Sequence, residues 1–175
     1  MTIPAAPHAE ESPAMSRRQQ IAMSPPEIAD YLASQLTVIV VSNGRDGYPH
    51  PMPMHFCVAD DGVVAMSTYR KSQKVLNCRR DPRTTLLVES GEDYAELRGL
   101  VIYARAEIVD DHAATMACMQ ASRAHSNAIR GIQPDAAADA AFADRVARRA
   151  EKRLVLRFHP QRCVSWDHRK LGGVY

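Results

Sequence analysis

The sequence has few aromatic residues, no paired cysteines and no long hydrophobic run, and each shortage excludes a class of protein. Its cysteines are widely separated and form no Cys-x-x-Cys pair, which argues against a structural zinc site. Aromatic residues make up 6% of the chain, whereas a nucleic-acid surface usually carries exposed aromatics along a broad basic stripe. No apolar run approaches the roughly 20 residues that span a bilayer, and the first residues contain no signal-peptide core. We therefore expect a cytoplasmic protein with reduced, buried thiols that binds neither membranes nor nucleic acid.

Charge is nearly balanced over the whole chain but is concentrated in one segment. The formal net charge is +2, yet residues 70–83 contain six basic residues and one acidic residue, so the remainder is net acidic. A focal basic site of this kind favours binding of a small anion over binding of a polymer. With 175 residues, 46% of them hydrophobic, the chain is long enough for one domain with a real core. We predict that domain over residues 24–175, after a disordered or loosely packed tail over residues 1–23.

The basic segment follows directly on a strand and begins a short helix. An apolar run from Val63 to Thr68 predicts the strand, and the pattern from about Ser72 to Arg80 predicts the helix, which Asp81-Pro82 ends. The first amides of a helix are unsatisfied and its dipole favours an anion, so Ser, Thr and Lys at such a start are typical of a phosphate site. A solvated helix face is the plainer interpretation of the same charges. Three roles remain open for Arg79, Arg80 and Arg83. They can occupy surface positions, pair with acidic residues or attract an anionic cofactor tail.

Two strands are predicted before the strand from Val63 to Thr68, and the second of them carries alternating prolines. The β-branched run from Leu36 to Ser42 predicts a buried strand, and a second strand is expected from Pro49 to Val58. Prolines at every second position remove backbone donors from one edge only, so that edge must face solvent, a loop or a ligand. Side chains alternate along a strand, so His50 and His55, five residues apart, point to opposite faces and do not form a metal pair. We predict no metal site.

The rest of the pattern predicts a mainly β (β+α) fold. Strands joined by hairpins give an antiparallel sheet, and six or seven of them curl into a barrel with helices at its ends. The further helices are expected over Ser24–Ser34, Asp111–Ser126 and Asp135–Glu151. The further strands are expected over Thr84–Glu89, Ala95–Val109, Arg153–His159 and, as the seventh, Cys163–Trp166. Alternation along the two long strands predicts their inner faces, which are Leu100, Ile102, Ala104, Ala106 and Ile108 on one strand and Leu154, Leu156 and Phe158 on the other.

Several motifs together resemble a known family. They are Gly47-Tyr-Pro-His-Pro-Met-Pro-Met54, Ser72-Gln-Lys-Val-Leu-Asn-Cys-Arg-Arg-Asp-Pro-Arg83, Leu97-Arg-Gly99 and Ser165-Trp-Asp-His-Arg-Lys-Leu-Gly-Gly173. The sequence over residues 24–175 resembles the flavin and deazaflavin oxidoreductases of the pyridoxamine 5′-phosphate oxidase-like superfamily, especially its coenzyme F420-dependent branch. The resemblance implies a split β-barrel homodimer with the cofactor at the dimer interface.

The resemblance also implies which residues contact that cofactor. The ring would lie along Met52, Pro53, Met54 and His55. The ring edge and the ribityl chain would face Met66, Ser67 and Thr68. The phosphate would be held by Ser72 and Lys74, and the partner subunit would contribute Trp166 and Lys170.

The implied function is an oxidoreductase in which reduced deazaflavin (F420) transfers a hydride to a small organic acceptor. The alternative within the same fold is an FMN-dependent oxidoreductase. An alternative of another class is a non-catalytic flavin- or haem-binding protein with His55 as an axial ligand, and a structural protein with an empty cleft is a third. The Arg-rich ending expected of a true pyridoxamine phosphate oxidase is missing, so that reaction is not expected. The sequence identifies neither the acceptor nor a catalytic residue.

Overall fold

The computed structural model describes residues 16–133 and 135–173. Within them the strands are β1 (Thr37–Asn43), β2 (Pro49–His55), β3 (Cys57–Val58), β4 (Val64–Tyr69), β5 (Arg83–Ser90), β6 (Arg98–Val109) and β7 (Arg153–Asp167). The helices are α1 (Arg17–Ile21), α2 (Pro25–Ala33), α3 (Gln73–Arg80), α4 (His112–Ile129) and α5 (Ala136–Ala150). Short 3-10 turns occupy Tyr94–Glu96 and His168–Leu171. No helix among these residues is long and apolar enough to cross a membrane.

The seven strands form one antiparallel sheet that curls back on itself. Their order is β2-β1-β5-β6-β7-β4-β3, so β2 and β3 lie at opposite ends of the sheet. Only Phe56 separates these two strands in the chain, and its side chain is fully buried. The sheet must therefore curl until its two ends nearly meet, which confirms the predicted split barrel with flanking helices.

The strand predicted over Pro49–Val58 is interrupted at Phe56. Its first part pairs with β1, whereas Cys57 and Val58 pair with β4 at the other end of the sheet. Phe56 and Cys57 are both buried, so the alternation of faces breaks there. Local sequence could not predict this break, because the strand changes partners in response to the tertiary arrangement.

The barrel core follows the alternation expected of half-buried strands. β1 buries Val38 and Val40, and the predicted inner faces of the two long strands are confirmed. On those strands the buried residues are Leu100, Ile102 and Ala104 of β6 and Leu154, Leu156 and Phe158 of β7. The two strands predicted over Arg153–Trp166 are one strand, because an irregularity opposite Tyr103 and Ala104 absorbs an extra residue without ending the pairing.

The predicted one-sided edge of β2 is confirmed. Within the described part of the chain, β2 pairs with β1 alone. Because proline has no N–H, the amides of His50, Met52 and Met54 are those that β2 has to offer to β1. The other edge of β2 is open to a loop, a ligand or a second chain.

Residues 16–23 pack against the C-terminal end of the sheet. Ser16 caps α1, Met23 is buried, and its N–H donates to Ser165 Oγ at 2.9 Å. The Lys170 ammonium donates to Ala22 O at 2.7 Å, which joins the two ends of the described chain. The packed part of the protein therefore begins before the boundary that we predicted at residue 24; residues 1–15 of the predicted tail lie outside the described residues.

All four cysteines are free thiols, as expected. Cys57, Cys78 and Cys118 are buried, but Cys163 is exposed. The expectation of four buried thiols is wrong for Cys163 because it lies on β7 beside the irregularity, where the strand is exposed over Pro160–Cys163.

Candidate functional site

The connection from β4 into α3 places two hydroxyls at the start of a helix. Thr68 is buried near the end of β4, and the Ser72 N–H donates to Tyr69 O at 2.9 Å, which closes the turn. Ser72 occupies the N-cap position, but its side chain makes no capping bond and lies 3.3 Å from Thr68 Oγ1 instead. The first amides of α3 are thus not capped by Ser72 and can be offered to an anion, as the sequence predicted.

Lys74 is a buried cation beside these hydroxyls. Its side chain is 6% exposed, and its ammonium donates to Thr68 Oγ1 at 3.1 Å. Among residues 16–133 and 135–173, no carboxylate forms an ion pair with it. Burial of an unpaired charge costs several kcal/mol even after relaxation of the protein, so such a group marks a place for an anion. We call Thr68, Ser72 and Lys74 the Lys74 cluster.

The electrostatic surroundings of Lys74 fit this interpretation. Burial lowers the pKa of its ammonium from the ordinary value of 10.5, and the charge of nearby Arg153 lowers it further. Arg153 stacks on the ring of Tyr69 at 4.2 Å, and its Nε is buried with no hydrogen-bond partner within the described ranges. A bound phosphate would reverse the effect on Lys74 by favouring its charged form. The buried ammonium, the hydroxyls and the uncapped amides fit a phosphate group.

The lowered pKa of Lys74 predicts a specific dependence of stability on pH. The unfolded chain keeps the Lys74 proton up to about pH 10.5, whereas the folded protein releases it at a lower pH. The charge therefore destabilises the ligand-free fold below the folded pKa, and this penalty disappears as the pH rises toward 10.5. We expect Lys74→Met to be more stable than wild type at neutral pH and the difference to narrow at alkaline pH. Urea denaturation of both proteins from neutral to alkaline pH measures this difference in the free energy of unfolding. A difference that does not change with pH would contradict a buried, charged Lys74.

A cleft of about 600 Å³ lies against the same helix and reaches β2. Asn77 of α3 is fully buried and donates to Ser42 Oγ at 3.0 Å, and Ser42 pairs with His50 across the sheet. His50 lines the cleft, and its Nδ1 is buried without a partner in the part of the chain that the structure describes. The remaining lining comes from the β1–β2 turn and from Gln73. We did not predict His50 as a site residue, although it shares the inner face of β2 with Met52 and Met54.

The residues predicted to lie along the ring are divided between the two faces of β2. Met54 packs against the core and Met52 is 37% exposed on the same face, while Pro53 and His55 are exposed on the other. Within one chain they do not form a single wall. The His55 ring is held by Nδ1, which lies 3.1 Å from Leu36 O.

Of the three residues predicted on β4, only Thr68 joins the Lys74 cluster. Met66 is fully buried in the barrel core, so its side chain packs there, and its contact with a ribityl chain stays a prediction. Ser67 lies on the opposite face, where the preceding Ala65 packs against Cys118 of α4, and it is half-buried. The strand alternation explains the division, because Met66 and Thr68 share one face and Ser67 has the other.

The C-terminal residues predicted to reach a partner's cofactor make contacts within their own chain. Trp166 pairs with Gly99 across β6 and β7. A Cβ at position 99 would lie 2.0 Å from Trp166 Cζ2, so glycine is required there. Lys170 pairs with Glu27 at 2.8 Å in addition to Ala22 O. Their contact with a partner's cofactor stays a prediction.

The remaining cations fall into two groups. Arg83 pairs with Asp81 at 2.8 Å, which confirms the pairing with an acid, and Arg80 donates to Asn43 O. A second, exposed cleft of about 340 Å³ is strongly basic, and within the described ranges none of its cations forms an ion pair. This α5 basic cleft is lined by Tyr69, Arg145, Arg148, Arg149 and Lys152.

Comparison with known proteins agrees with this architecture. A conserved hypothetical protein, Rv2991, from Mycobacterium tuberculosis is 34% identical, with a TM-score of 0.79 over 92% of this chain and 95% of that chain. The fold also matches an F420 reductase (21% identity, TM-score 0.55, 77% and 93% covered). It matches the haem storage protein HutZ from Vibrio cholerae as well (15% identity, TM-score 0.55, 81% and 94% covered). No curated protein matches the sequence significantly.

The family model for pyridoxamine 5′-phosphate oxidase matches residues 24–167, which include every strand of the barrel and the whole Lys74 cluster. The chain therefore belongs to the pyridoxamine 5′-phosphate oxidase family.

Proposed function

We propose that the protein is an oxidoreductase that binds reduced deazaflavin (F420) and passes its hydride to a small organic acceptor. The observation that carries this proposal is the buried Lys74 ammonium, which has hydroxyl neighbours and no carboxylate partner in the described chain. Lys74, Ser72 and the first amides of α3 bind the cofactor phosphate. When bound, the cofactor supplies the hydride, while the protein orients it and excludes water. FMN, which also carries a phosphate, is the alternative cofactor.

The α5 basic cleft favours deazaflavin over FMN. It lies at the end of β4, where Tyr69 follows Thr68 directly, and it gathers four cations around one tyrosine. A cofactor with an anionic tail beyond its phosphate would use such a surface, whereas a cofactor that ends at the phosphate would not. Of the three arginines for which this role was left open, Arg83 is paired with Asp81, and Arg80 donates to Asn43 O.

Replacing two arginines of this cleft should therefore affect the binding of deazaflavin and the binding of FMN differently. We expect Arg148→Ala combined with Arg149→Ala to weaken deazaflavin binding by about two- to fivefold per arginine, the range for exposed charge pairs, and to leave FMN binding unchanged. Added salt should reduce the difference because exposed charges are screened. Fluorescence titration measures both constants, with Arg130→Ala, an exposed change at the end of α4, as the control. An equal loss for both cofactors would contradict a tail-binding role.

We further propose a homodimer in which β2 lies at the interface. This strand has an open edge, its four residues predicted along the ring are divided between two faces, and Tyr48 beside it is 75% exposed. A second chain could supply the missing wall of the cofactor site and cover this apolar surface. Analytical ultracentrifugation tests this: wild type should sediment as a dimer and Met52→Lys as a monomer. A monomeric wild type would leave Trp166 and Lys170 without a partner's cofactor to contact.

A haem-binding role is the second candidate, and one contact favours it. Leu36 O can only accept a hydrogen bond, so the His55 Nδ1 3.1 Å away must carry the proton. The lone pair is then on Nε2 of an exposed ring, which is the form that ligates a metal. HutZ, which shares the fold, is a haem storage protein.

One set of assays distinguishes these functions. Purified protein is mixed with reduced deazaflavin and a quinone or dye acceptor, and cofactor oxidation is followed by absorbance. We expect oxidation that depends on the protein and is lost in Lys74→Met. A Soret band upon haem addition that disappears in His55→Ala, without turnover of deazaflavin or FMN, would establish the haem-binding alternative instead.

A further inference from the structure

Two buried cysteines meet where α4 covers the outer face of the sheet. Cys57 belongs to β3 and Cys118 to α4, and their Sγ atoms lie 3.9 Å apart. The side chains are 5% and 8% exposed, and both are free thiols. A disulfide requires a sulfur separation of about 2.05 Å, so closing the pair needs a movement of roughly 2 Å.

The surroundings of the pair make Cys57 the more reactive thiol. A hydrogen bond from Cys118 lowers the pKa of Cys57 and raises that of Cys118, although burial opposes ionisation of both. Ser122 lies one turn after Cys118; its buried hydroxyl has no partner in the described chain and is available to a Cys57 thiolate. The Arg157 guanidinium lowers the pKa of Cys57 further. These contacts favour Cys57 as the nucleophile once it has lost the proton that it donates to Ala65 O at 3.6 Å, and Cys118 as the thiol that keeps its proton.

The pair is reached from solvent through a cleft that the proposed cofactor site does not use. It has a volume of about 590 Å³ and is lined by both cysteines and by Ala65, Val109 and Val155. Asp60, Glu107 and Arg157 supply charge, and the rest of the lining is largely apolar. Its size and apolar wall suit a small neutral molecule, which can reach Cys57 although the thiol is buried from bulk solvent.

We propose that Cys57 and Cys118 form a redox-active dithiol that reduces a small hydroperoxide. The Cys57 thiolate attacks the terminal peroxide oxygen, the O–O bond breaks, and the departing water or alcohol takes the proton lost by Cys57. Cys57 is left as a sulfenic acid. The Cys118 sulfur then attacks the Cys57 sulfur, the S–O bond breaks, and water leaves with the Cys118 proton. The two thiols lose two electrons in total, the peroxide gains them, and an external dithiol restores the pair.

Peptide mapping tests this on the full chain without any flavin, so its outcome is separate from that of the proposed function. Trypsin places each cysteine in its own peptide: residues 46–70, 75–79, 106–123 and 163–169. After one equivalent of hydrogen peroxide, we expect loss of two thiols per chain and a disulfide between peptides 46–70 and 106–123 that dithiothreitol reverses. Cys163→Ser removes the exposed thiol and should leave this result unchanged. In Cys118→Ser, we expect a sulfenic acid on Cys57 that dimedone traps.

Two results would overturn the proposal. One is oxidation of Cys163 while Cys57 and Cys118 stay reduced. The other is oxidation of Cys57 only to sulfinic acid or to a disulfide with another chain. Both can be read in the wild-type protein, so the test does not depend on folding of a variant.

Discussion

Lys74→Met is expected to weaken binding of the cofactor by about 10- to 100-fold, because charge-assisted bonds to phosphate contribute about 1.5–3 kcal/mol. Methionine preserves most of the volume of the side chain and removes its charge and its donors. The Lys74 ammonium is the one cation of the basic segment buried next to Thr68, and the nearby Arg153 guanidinium stacks on Tyr69 instead. Fluorescence titration with deazaflavin and with FMN measures the effect, which should be similar for both cofactors since both carry the phosphate.

The matched control is Lys71→Met, which removes the same charge from an exposed position three residues earlier. It should change the dissociation constant by less than about threefold, as expected for a distant, screened charge. Thermal unfolding separates binding from folding, because Lys74→Met should melt at the same temperature as wild type or higher. Equal losses of affinity in the two variants would mean that the segment acts only through its overall charge.

Gly99→Ala is expected to destabilise the fold by about 3 kcal/mol, the upper end of the usual cost of overpacking. An added Cβ would lie 2.0 Å from Trp166 Cζ2 and 2.4 Å from Cε2, at the second residue pair of the ladder between β6 and β7. Either the indole ring must turn out of its place or the strands must separate at this end of the ladder. For a domain of this size the melting temperature should fall by about 6–12 °C.

Trp166 is the only tryptophan, so its fluorescence reports unfolding of this region directly. Combining Gly99→Ala with Trp166→Leu removes the clashing ring and should recover part of the lost stability. If Gly99→Ala melts like wild type, the close contact between Gly99 and Trp166 does not exist in the protein.

Local patterns in the sequence were sufficient for the parts of the fold that depend on neighbouring residues. The start of α3 at Ser72, the bare edge of β2 and the inner faces of β6 and β7 all follow from spacing, prolines and alternation. The interruption at Phe56 does not follow from these patterns, because it depends on the pairing of β3 with β4, which is distant from β2 in the sheet.

The same distinction applies to the candidate site. Lys74 and Thr68 are six residues apart, so a strand followed by a helix brings them together, and the prediction for Lys74 needed only that local geometry. His50 reaches α3 through Ser42 and Asn77, which are distant in the chain, and no local signal marks that contact. The exposed charges of α5 join the end of β4 in the same way, so local sequence could not indicate the α5 basic cleft.

A crystal structure of the protein with bound deazaflavin tests the central claim most directly. We predict phosphate oxygens within hydrogen-bond distance of Lys74 Nζ and Ser72 Oγ, at the first amides of α3, with the rest of the cofactor directed toward β2 of a partner chain. A cofactor bound elsewhere, with the Lys74 ammonium still bonded to Thr68 alone, would contradict the assignment of this cluster as the phosphate site.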